Sequence, residues 1–298
     1  VRGRVRRALM RLPLGRSGLS IPAIGFGVGT EWFNSGSSGR AEELQASIER
    51  ALDAGFTHLD EAEVYRNEEV TGLALKAWLA RTGRPRTDLH ITGKVMNCDD
   101  GIEKICRKSL DKLGCEYFDL FLMHGPFHGR KGPFKRPLPE LWQEMESLVS
   151  KGLARSIGVS NWRVSDFEQI WRGAAFKPCC NQIERHPYLQ QPELLHWCNS
   201  HGVLVTAYNP LCPVTKFIGG PVDGPVNAIA ADRGCTPAQV LLRWGLQTGT
   251  GCITTTSKPA RLLEYLAVSE LELTPRDVEA ISSAGSSVAP RRFFWKSL

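Results

Sequence analysis

Residues 41–60, AEELQASIERALDAGFTHLD, contain two kinds of pattern in succession. Ala41–Ala54 repeats its apolar residues at the helical period, and Thr57–Asp60 is a short run that suits a buried strand. Alternating helices and strands are typical of α/β folds, in which helices cover a parallel sheet. The number of such units along the chain therefore indicates the fold.

The pattern recurs along most of the 298-residue chain. Eight short apolar or β-branched runs predict strands: Ala23–Val28, Thr57–Asp60, His90–Lys94, Tyr117–Met123, Ala154–Val159, Asn181–Glu184, Val203–Tyr208 and Gly251–Thr254. Amphipathic segments predict helices between them: Ala41–Ala54, Glu68–Arg81, Ile102–Leu113, Leu138–Lys151, Val164–Ala174 and Pro192–Ser200. Eight units in one chain predict a closed (β/α)8 TIM barrel of the α/β class.

Two segments lie outside a minimal barrel. Leu12–Ile21 has the pattern of a β-hairpin, which we expect to plug the barrel floor. Thr236-Pro237 and Thr274-Pro275 predict helix starts, because each places a capping hydroxyl before a proline at the first helical position. The second of these starts an extra C-terminal helix that extends to about Ala284.

Two connections are too long to be simple turns. Gly125–Pro137 follows the fourth predicted strand and Asn209–Val226 follows the seventh, and both are rich in Gly and Pro. Long loops after barrel strands carry binding and catalysis. A doubly wound dinucleotide-binding fold is disfavoured, since the nearest glycine motif, Gly25–Thr30, leads into Trp32 and a polar loop instead of a helix.

The composition predicts a soluble, cytoplasmic protein without a membrane partner. No apolar run reaches the roughly 18 residues that span a bilayer, and the basic start lacks the apolar stretch of a secretory signal. The nine cysteines include no Cys-x-x-Cys pair, which favours reduced structural thiols. No metal site is predicted, because His124 and His128 have no cysteine or carboxylate close in sequence.

The net charge of +6 is concentrated near the N-terminus, where Arg2, Arg4, Arg6, Arg7 and Arg11 cluster. We expect residues 1–10 to form a basic, disordered arm and residues 11–298 to form a single barrel domain. Basic and aromatic residues do not alternate elsewhere as a nucleic-acid platform requires. The expected partner is a small molecule, and the expected state is a monomer.

Three neighbouring predicted strands are followed by, or end in, ionisable residues. The second strand ends in Asp60, the third in Lys94, and His124 follows the fourth. Catalytic groups of TIM barrels lie at the C-terminal ends of the strands, so these three side chains are expected at one mouth. Tyr65 lies in the loop after the second strand and can reach the same place.

These four residue types suit the reduction of a carbonyl group, which needs an acid to protonate the developing alkoxide. A free tyrosine has a pKa of about 10. We therefore predict that Tyr65 is the general acid, that Lys94 lowers its pKa, and that Asp60 orients Lys94. His124 is expected to bind the substrate oxygen. The same residues also suit alcohol oxidation, so the direction stays open.

The four residues belong to longer motifs that occur in order. The motifs are His58-Leu-Asp-Glu-Ala-Glu-Val-Tyr65 with Asn67-Glu-Glu69 and Gly72, Gly152-Leu-Ala-Arg-Ser-Ile-Gly-Val-Ser-Asn161, Asn181-Gln-Ile-Glu184 with His186-Pro-Tyr188, and Ala207-Tyr-Asn-Pro-Leu211. Together with Lys94 and His124 they resemble the aldo-keto reductase family, from about Leu12 to Arg292. The sequences of Gly27–Thr30 and Thr254–Lys258 are most similar to those of the yeast and fungal branch that includes conjugated polyketone and ketopantoyl lactone reductases.

This resemblance implies NADPH or NADP⁺ as cofactor, bound across the barrel mouth. It implies that Ser160, Asn161 and Gln182 bind the nicotinamide amide, that Tyr208 stacks on the ring, and that Asn209 and Leu211 cover the pyrophosphate. The adenosine 2′-phosphate is assigned to Thr255, Thr256, Ser257, Lys258 and Arg261. The remaining implied cofactor contacts are Gly29, Thr30, Asp60 and Glu264.

The chain departs from the family pattern near the substrate and the phosphate. His124-Gly125 replaces a histidine-tryptophan pair, so we expect a roomier pocket around Trp32, Gly125 and Trp162 and a bulky ketone or cyclic dicarbonyl as substrate. Phe293, Phe294 and Trp295 are further candidates for the pocket lining. Many members of the family have a lysine directly after the eighth strand, whereas the first lysine after that strand in this chain is Lys258.

Two other functions fit the same barrel. One is a redox-neutral isomerase or dehydratase that uses Tyr65 and Lys94. The other is a cofactor-binding regulatory subunit, which the intact set of four candidate residues disfavours. The natural substrate and its stereochemistry do not follow from the sequence.

Overall fold

Eight parallel strands close into a barrel in the computed structural model, which describes residues 10–36, 39–128 and 132–294. An antiparallel hairpin precedes them, formed by β1 (Arg11–Pro13) and β2 (Ser20–Pro22). The barrel strands are β3 (Ile24–Gly27), β4 (His58–Asp60), β5 (His90–Val95), β6 (Leu120–Met123), β7 (Ile157–Ser160), β8 (Cys180–Glu184), β9 (Leu204–Tyr208) and β10 (Thr250–Thr254). Strands β3 and β10 pair in parallel and close the ring. The predicted TIM barrel is confirmed.

Helices surround the barrel in chain order. They are α1 (Ala41–Ala54), α2 (Glu68–Thr82), α3 (Ile102–Leu113), α4 (Leu138–Ser150), α5 (Val164–Trp171), α6 (Pro192–His201), α7 (Cys212–Thr215), α8 (Asp223–Arg233), α9 (Pro237–Gln247), α10 (Pro259–Leu266) and α11 (Pro275–Ser286). Both predicted caps form, since Thr236 accepts from the Gln239 N–H and Thr274 accepts from the Asp277 N–H. Helix α11 is the predicted C-terminal addition.

The N-terminal hairpin covers one end of the barrel, as predicted. Leu14 and Ile21 are buried against Leu120 and Cys180, which begin strands β6 and β8. This end is opposite to the strand ends that carry the candidate residues. The barrel floor is therefore closed, and the site opens only at the other end.

Several boundaries differ from the sequence-based prediction, among them those of one long loop and one strand. The long loop predicted at Asn209–Val226 contains α7 and the first turn of α8. Residues 117–119 lie outside β6, because the Asp119 carboxylate takes the Ile91 N–H and the Asp119 carbonyl takes the Ser156 hydroxyl. These side-chain hydrogen bonds replace ladder bonds and shorten the regular strand.

The structure bears on the predictions about membrane spans, cysteines and the N-terminal arm. Among the residues that the structure describes, no helix is long and apolar enough to cross a membrane. All nine cysteines are free thiols, and seven of them are buried. Residues 1–9, most of the predicted basic arm, lie outside the described residues.

Candidate active site

Asp60, Tyr65, Lys94 and His124 lie together at the C-terminal end of the barrel. Asp60 ends β4, His124 follows β6, and Tyr65 ends a single 3-10 turn after β4. Lys94 is followed in β5 by Val95, so it is one residue short of the strand end where it was predicted. The rings of Tyr65 and His124 meet edge to face, with centroids 5.7 Å apart.

The Lys94 ammonium is fully buried and has three hydrogen-bond acceptors. Its Nζ lies 2.6 Å from Asp60 Oδ2, 2.8 Å from the Glu61 carbonyl oxygen and 3.2 Å from the Tyr65 hydroxyl. An ammonium has three donors, and each acceptor takes one. Lys94 is therefore fixed in one position and points one donor at the tyrosine.

The pKa values of this pair differ in part from the sequence-based prediction. Burial raises the pKa of Tyr65, and this outweighs the lowering by the Lys94 cation, so the net pKa lies above its ordinary value. Burial also disfavours charge on Lys94, but Asp60 and Tyr65 outweigh it and raise the pKa of Lys94. The lowering predicted from Lys94 is present, but the desolvation of Tyr65 is larger, so the net shift of the Tyr65 pKa is upward.

His124 is a neutral imidazole at the mouth. Burial, and next the Lys94 cation, hold the pKa of His124 well below its ordinary value. A neutral imidazole keeps one N–H donor and one acceptor nitrogen. Its Nδ1 atom is buried without a hydrogen-bond partner among the described residues, so the ring is available for a ligand.

Gln182 and Ser160, two predicted nicotinamide contacts, are tied to the same residues. Gln182 Nε2 donates to Asp60 Oδ1 over 2.8 Å, on the opposite oxygen from Lys94. The Ser160 hydroxyl donates to the Gln182 carbonyl over 2.7 Å. Asp60 therefore links the catalytic candidates to the cofactor candidates.

Asn161 and Tyr208 extend this network. Asn161 Nδ2 donates to the His124 carbonyl oxygen over 3.0 Å, and the Tyr208 hydroxyl donates to Asn161 Oδ1 over 2.8 Å. Asn161 has a φ of 61°, a left-handed conformation that asparagine tolerates better than most residues. The strand ends β7, β8 and β9 thus present their polar groups to one surface.

Gly29 has a structural role that the sequence prediction did not include. A Cβ atom at position 29 would lie 2.6 Å from Cζ of Tyr65, too close for any side chain. The glycine therefore lets the Tyr65 ring lie against the backbone after β3. Thr30 is exposed beside it.

The predicted phosphate residues follow β10 and begin α10. Ser257, Lys258 and Arg261 are exposed there, and the Lys258 N–H donates to the Thr256 hydroxyl over 3.0 Å. Glu264, which was also predicted to contact the cofactor, has a partner within the protein: its carboxylate accepts a hydrogen bond from the Thr236 hydroxyl at the start of α9. The structure therefore ties Glu264 to the helix layer.

Two residues expected to contact the cofactor, Asn209 at the pyrophosphate and Thr255 at the 2′-phosphate, have polar atoms that a ligand would satisfy. Asn209 Nδ2, after β9, and Thr255 Oγ1, after β10, are buried without hydrogen-bond partners in the part of the chain that the structure describes. Asn209 also has a left-handed φ of 55°. Unpaired buried polar groups are rare and indicate an absent ligand or water. The residues present therefore fit a nicotinamide dinucleotide.

Glu61 lies in the quoted motif, but no role was predicted for it. It is fully buried, and its carboxyl group contacts the Thr71 hydroxyl at 2.5 Å and the Ala62 N–H at 3.0 Å. Burial raises the pKa of Glu61 to about 8. An acidic residue directly after an expected strand end was the only signal available in the sequence.

The C-terminal segment lies across the ends of β8 and β9. The Glu184 carboxylate accepts the backbone N–H groups of Phe293 and Phe294, each over 2.8 Å. The Phe294 ring meets the Tyr208 ring with centroids 6.1 Å apart. Both phenylalanines therefore lie near the predicted nicotinamide contact, whereas Trp295 lies outside the described residues.

The three residues expected around the substrate pocket, Trp32, Gly125 and Trp162, have different surroundings. A Cβ at Gly125 would lie 3.3 Å from the Phe127 ring, so Phe127 occupies part of the space that the glycine leaves. Trp32 is completely buried. Trp162 packs against Trp142 and Phe167 of the outer helices and does not line the mouth as expected.

Comparisons with known proteins identify the family of this chain. Residues 23–213 and 221–286 match the model of the aldo/keto reductase family. An NAD/NADP-dependent indole-3-acetaldehyde reductase of Schizosaccharomyces pombe is 37% identical, with 93% of this chain and 96% of that protein covered. A glycerol 2-dehydrogenase (NADP⁺) of Hypocrea jecorina is 36% identical, with 89% of each chain covered.

A solved structure shows the same fold. The Bombyx mori aldo-keto reductase in complex with NADP superimposes with a TM-score of 0.83 at 29% identity, with 93% of this chain and 92% of that chain covered. Fold, site geometry and sequence relatives agree: the chain belongs to the aldo/keto reductase family and is an oxidoreductase.

Proposed function

We propose that the protein reduces an aldehyde or ketone to the alcohol with NADPH. The observation that carries this proposal is the buried ion pair of Lys94 and Asp60, with the Tyr65 hydroxyl 3.2 Å from the ammonium. This geometry suits delivery of one proton to a substrate oxygen beside Tyr65. The relatives named above act with NAD or NADP, which supports a nicotinamide cofactor.

The residues divide the chemistry between them. When bound, NADPH supplies the hydride from C4 of its nicotinamide ring. Tyr65 donates its proton to the carbonyl oxygen, and the neutral His124 ring orients that oxygen by a hydrogen bond. Lys94 stabilises the tyrosinate that remains after proton transfer, because its cation lies beside the phenol oxygen.

Other residues hold the cofactor. Ser160, Asn161 and Gln182 bind the amide group, while Tyr208 packs on the ring. Asn209 and Leu211 enclose the pyrophosphate, and Thr255 contacts the 2′-phosphate; the unpaired polar atoms of Asn209 and Thr255 support these assignments. The exposed cations Lys258 and Arg261 favour NADPH over NADH, because they can pair with the 2′-phosphate dianion. Gly125 supports a bulky or cyclic dicarbonyl as substrate.

The test is the oxidation of NADPH in the presence of a panel of aldehydes, quinones and isatins. We expect turnover with several members and a preference for NADPH over NADH. Tight NADPH binding without oxidation by any panel member would overturn the reductase proposal and favour the regulatory subunit.

A further inference from the structure

Glu184, His186 and Cys212 form a buried cluster beside the proposed cofactor site. Glu184 ends β8, His186 lies two residues later, and Cys212 begins α7 shortly after β9. One donor atom from each residue lies within 4.8 Å of the others. Glu184 and His186 are 0% exposed and Cys212 is 2% exposed, so solvent does not satisfy these groups.

The His186 ring has unused hydrogen-bonding capacity. Its Nε2 lies 3.5 Å from Glu184 Oε1, yet neither ring nitrogen has a hydrogen-bond partner among the described residues. A neutral ring therefore keeps a lone pair that accepts nothing, and a protonated ring keeps a donor without an acceptor. Buried polar groups are rarely left in this condition unless a ligand binds them.

The donor set selects the type of ligand. An imidazole nitrogen, a thiolate sulfur and a carboxylate oxygen form a ligand set that suits Zn²⁺ and similar thiophilic ions, whereas Mg²⁺ and Ca²⁺ prefer oxygen alone. Glu184 also accepts the N–H groups of Phe293 and Phe294. A carboxylate has about four lone-pair positions, so these hydrogen bonds orient it and leave a position for a metal.

We propose that Glu184, His186 and Cys212 bind a thiophilic divalent cation such as Zn²⁺ or Cd²⁺. Binding forms one bond from the cation to each residue, and the Cys212 thiol proton passes to solvent. The sequence did not indicate this site, because its three residues come together only through the pairing of β8 with β9.

The site connects two elements next to the proposed cofactor pocket. Cys212 directly follows the segment 209–211, which we assign to the pyrophosphate, and Glu184 is paired with Tyr208. A bound cation would join α7 to the end of β8 and hold this segment in place. We therefore expect bound metal to slow the exchange of cofactor; this consequence rests on the proposed function, whereas metal binding itself does not.

The binding test uses the full chain and CdCl₂ alone. We expect one Cd²⁺ per chain by calorimetry and a thiolate-to-cadmium absorption band in the ultraviolet. Cys212→Ser should remove the band and weaken binding at least about 100-fold, since loss of a residue that binds the metal directly costs more than loss of one that only orients a ligand. The matched control is Cys235→Ser, a half-buried cysteine between α8 and α9, which should retain both signals.

A second variant tests whether weaker binding results from loss of a ligand or from misfolding. His186→Gln keeps the thiol but removes the imidazole, and it should weaken Cd²⁺ binding while circular dichroism shows an intact barrel. Absence of a one-to-one binding event in the unaltered chain, or a band that survives Cys212→Ser, would overturn the site.

The coupling to the cofactor segment is tested by stopped-flow fluorescence. NADPH release should slow on addition of ZnCl₂ in the unaltered chain and in Cys235→Ser, but not in Cys212→Ser. An unchanged rate in the unaltered chain would overturn the coupling. Failure of NADPH to bind at all would instead refute the proposed function, and the Cd²⁺ experiment would still decide the metal site.

Discussion

Tyr65 is subject to two opposing effects at the scale of the single residue. Burial raises its pKa, and the Lys94 cation lowers it without fully compensating. The phenol is therefore protonated at neutral pH, and the nearby cation becomes most valuable when the proton leaves. Such an arrangement favours proton donation during the reaction without leaving a charged tyrosine in the resting site.

Tyr65→Phe should abolish most of the turnover and leave cofactor binding intact. Loss of a general acid typically costs about 10²- to 10⁴-fold, so we expect kcat to fall by that range. The Kd for NADPH, measured by fluorescence titration, should change little, because the phenol hydroxyl is not among the proposed cofactor contacts. Tyr117→Phe is the matched control, since that hydroxyl is buried without a hydrogen-bond partner away from the mouth. Near-normal kcat in Tyr65→Phe would refute the acid assignment.

Glu61 should give the reaction an alkaline limb near pH 8. Its pKa is raised to about 8 by burial, so the carboxyl is neutral at pH 7 and gains charge above pH 8. That charge raises the pKa of Tyr65 further and weakens it as an acid. In Glu61→Gln, the fall of kcat/KM near pH 8 should disappear, and the next limb should lie at higher pH.

The same variant has a thermodynamic signature. Because the folded pKa of Glu61 lies above its ordinary 4.5, the folded chain loses stability as the pH rises from about 4.5 to about 8. Glu61→Gln should therefore be stabilised relative to the unaltered chain at pH 9 more than at pH 5, as measured by urea unfolding. Glu69→Gln, on the exposed side of α2, is the control. If the stability of Glu61→Gln depended on pH in the same way as that of the unaltered chain, the raised pKa of Glu61 would be contradicted.

The sequence allowed Asp60, Lys94 and His124 to be placed together, because the strand ends of a parallel barrel meet at one mouth. It did not reveal the role of Glu61, since neither the burial of this acid nor its contact with Thr71 on α2, ten residues later, can be read from the residue types. The sequence also did not show that desolvation of Tyr65 outweighs the lowering of its pKa by Lys94. Residue types give the sign of a charge interaction, whereas the size of the desolvation depends on packing.

At the scale of the element, β4 and β5 carry buried histidines below the catalytic residues. His58 and His90 are paired in register, and their rings meet edge to face with centroids 4.9 Å apart. His58 Nε2 lies 3.0 Å from the Thr92 hydroxyl. The predicted strand pattern included both positions but gave no reason to expect neutral histidines there.

His58 should make the barrel sensitive to acid. Burial lowers its pKa from 6.5 to about 4, so the unfolded chain takes up a proton over this range and the folded chain does not. Stability should therefore fall by about 3 kcal/mol between pH 6.5 and pH 4 through this residue. His58→Gln should show a smaller fall over that range in urea unfolding.

The control for this experiment is His196→Gln, because His196 is exposed on α6. It should keep the acid sensitivity of the unaltered chain. His90 also has a pKa well below its ordinary value, mainly through burial, so some acid sensitivity should remain in His58→Gln. An unaltered slope in His58→Gln would show that His58 is not the source.

At the scale of the whole molecule, the catalytic and phosphate candidates lie on different parts of the barrel rim. The first set lies at or near the ends of β4, β5 and β6, whereas the second follows β10, which pairs with β3 and β9. Counting strands from the sequence predicted this ring. The contact of Glu184 with Phe293 could not be predicted, because it joins residues 109 positions apart through one side chain and a backbone N–H.

A cofactor that reaches both sets must lie extended across the mouth, and this gives the last prediction. Lys258→Ala and Arg261→Ala should each raise the Kd for NADPH about 10- to 100-fold, because a hydrogen bond to a charged group contributes about 1.5–3 kcal/mol. The Kd for NADH, which lacks the 2′-phosphate, should change less than about threefold. Arg243→Ala is the matched control, since that half-buried arginine binds Gln247 within α9. Equal weakening of both cofactors would mean that Lys258 and Arg261 support the fold of α10 and do not select the phosphate.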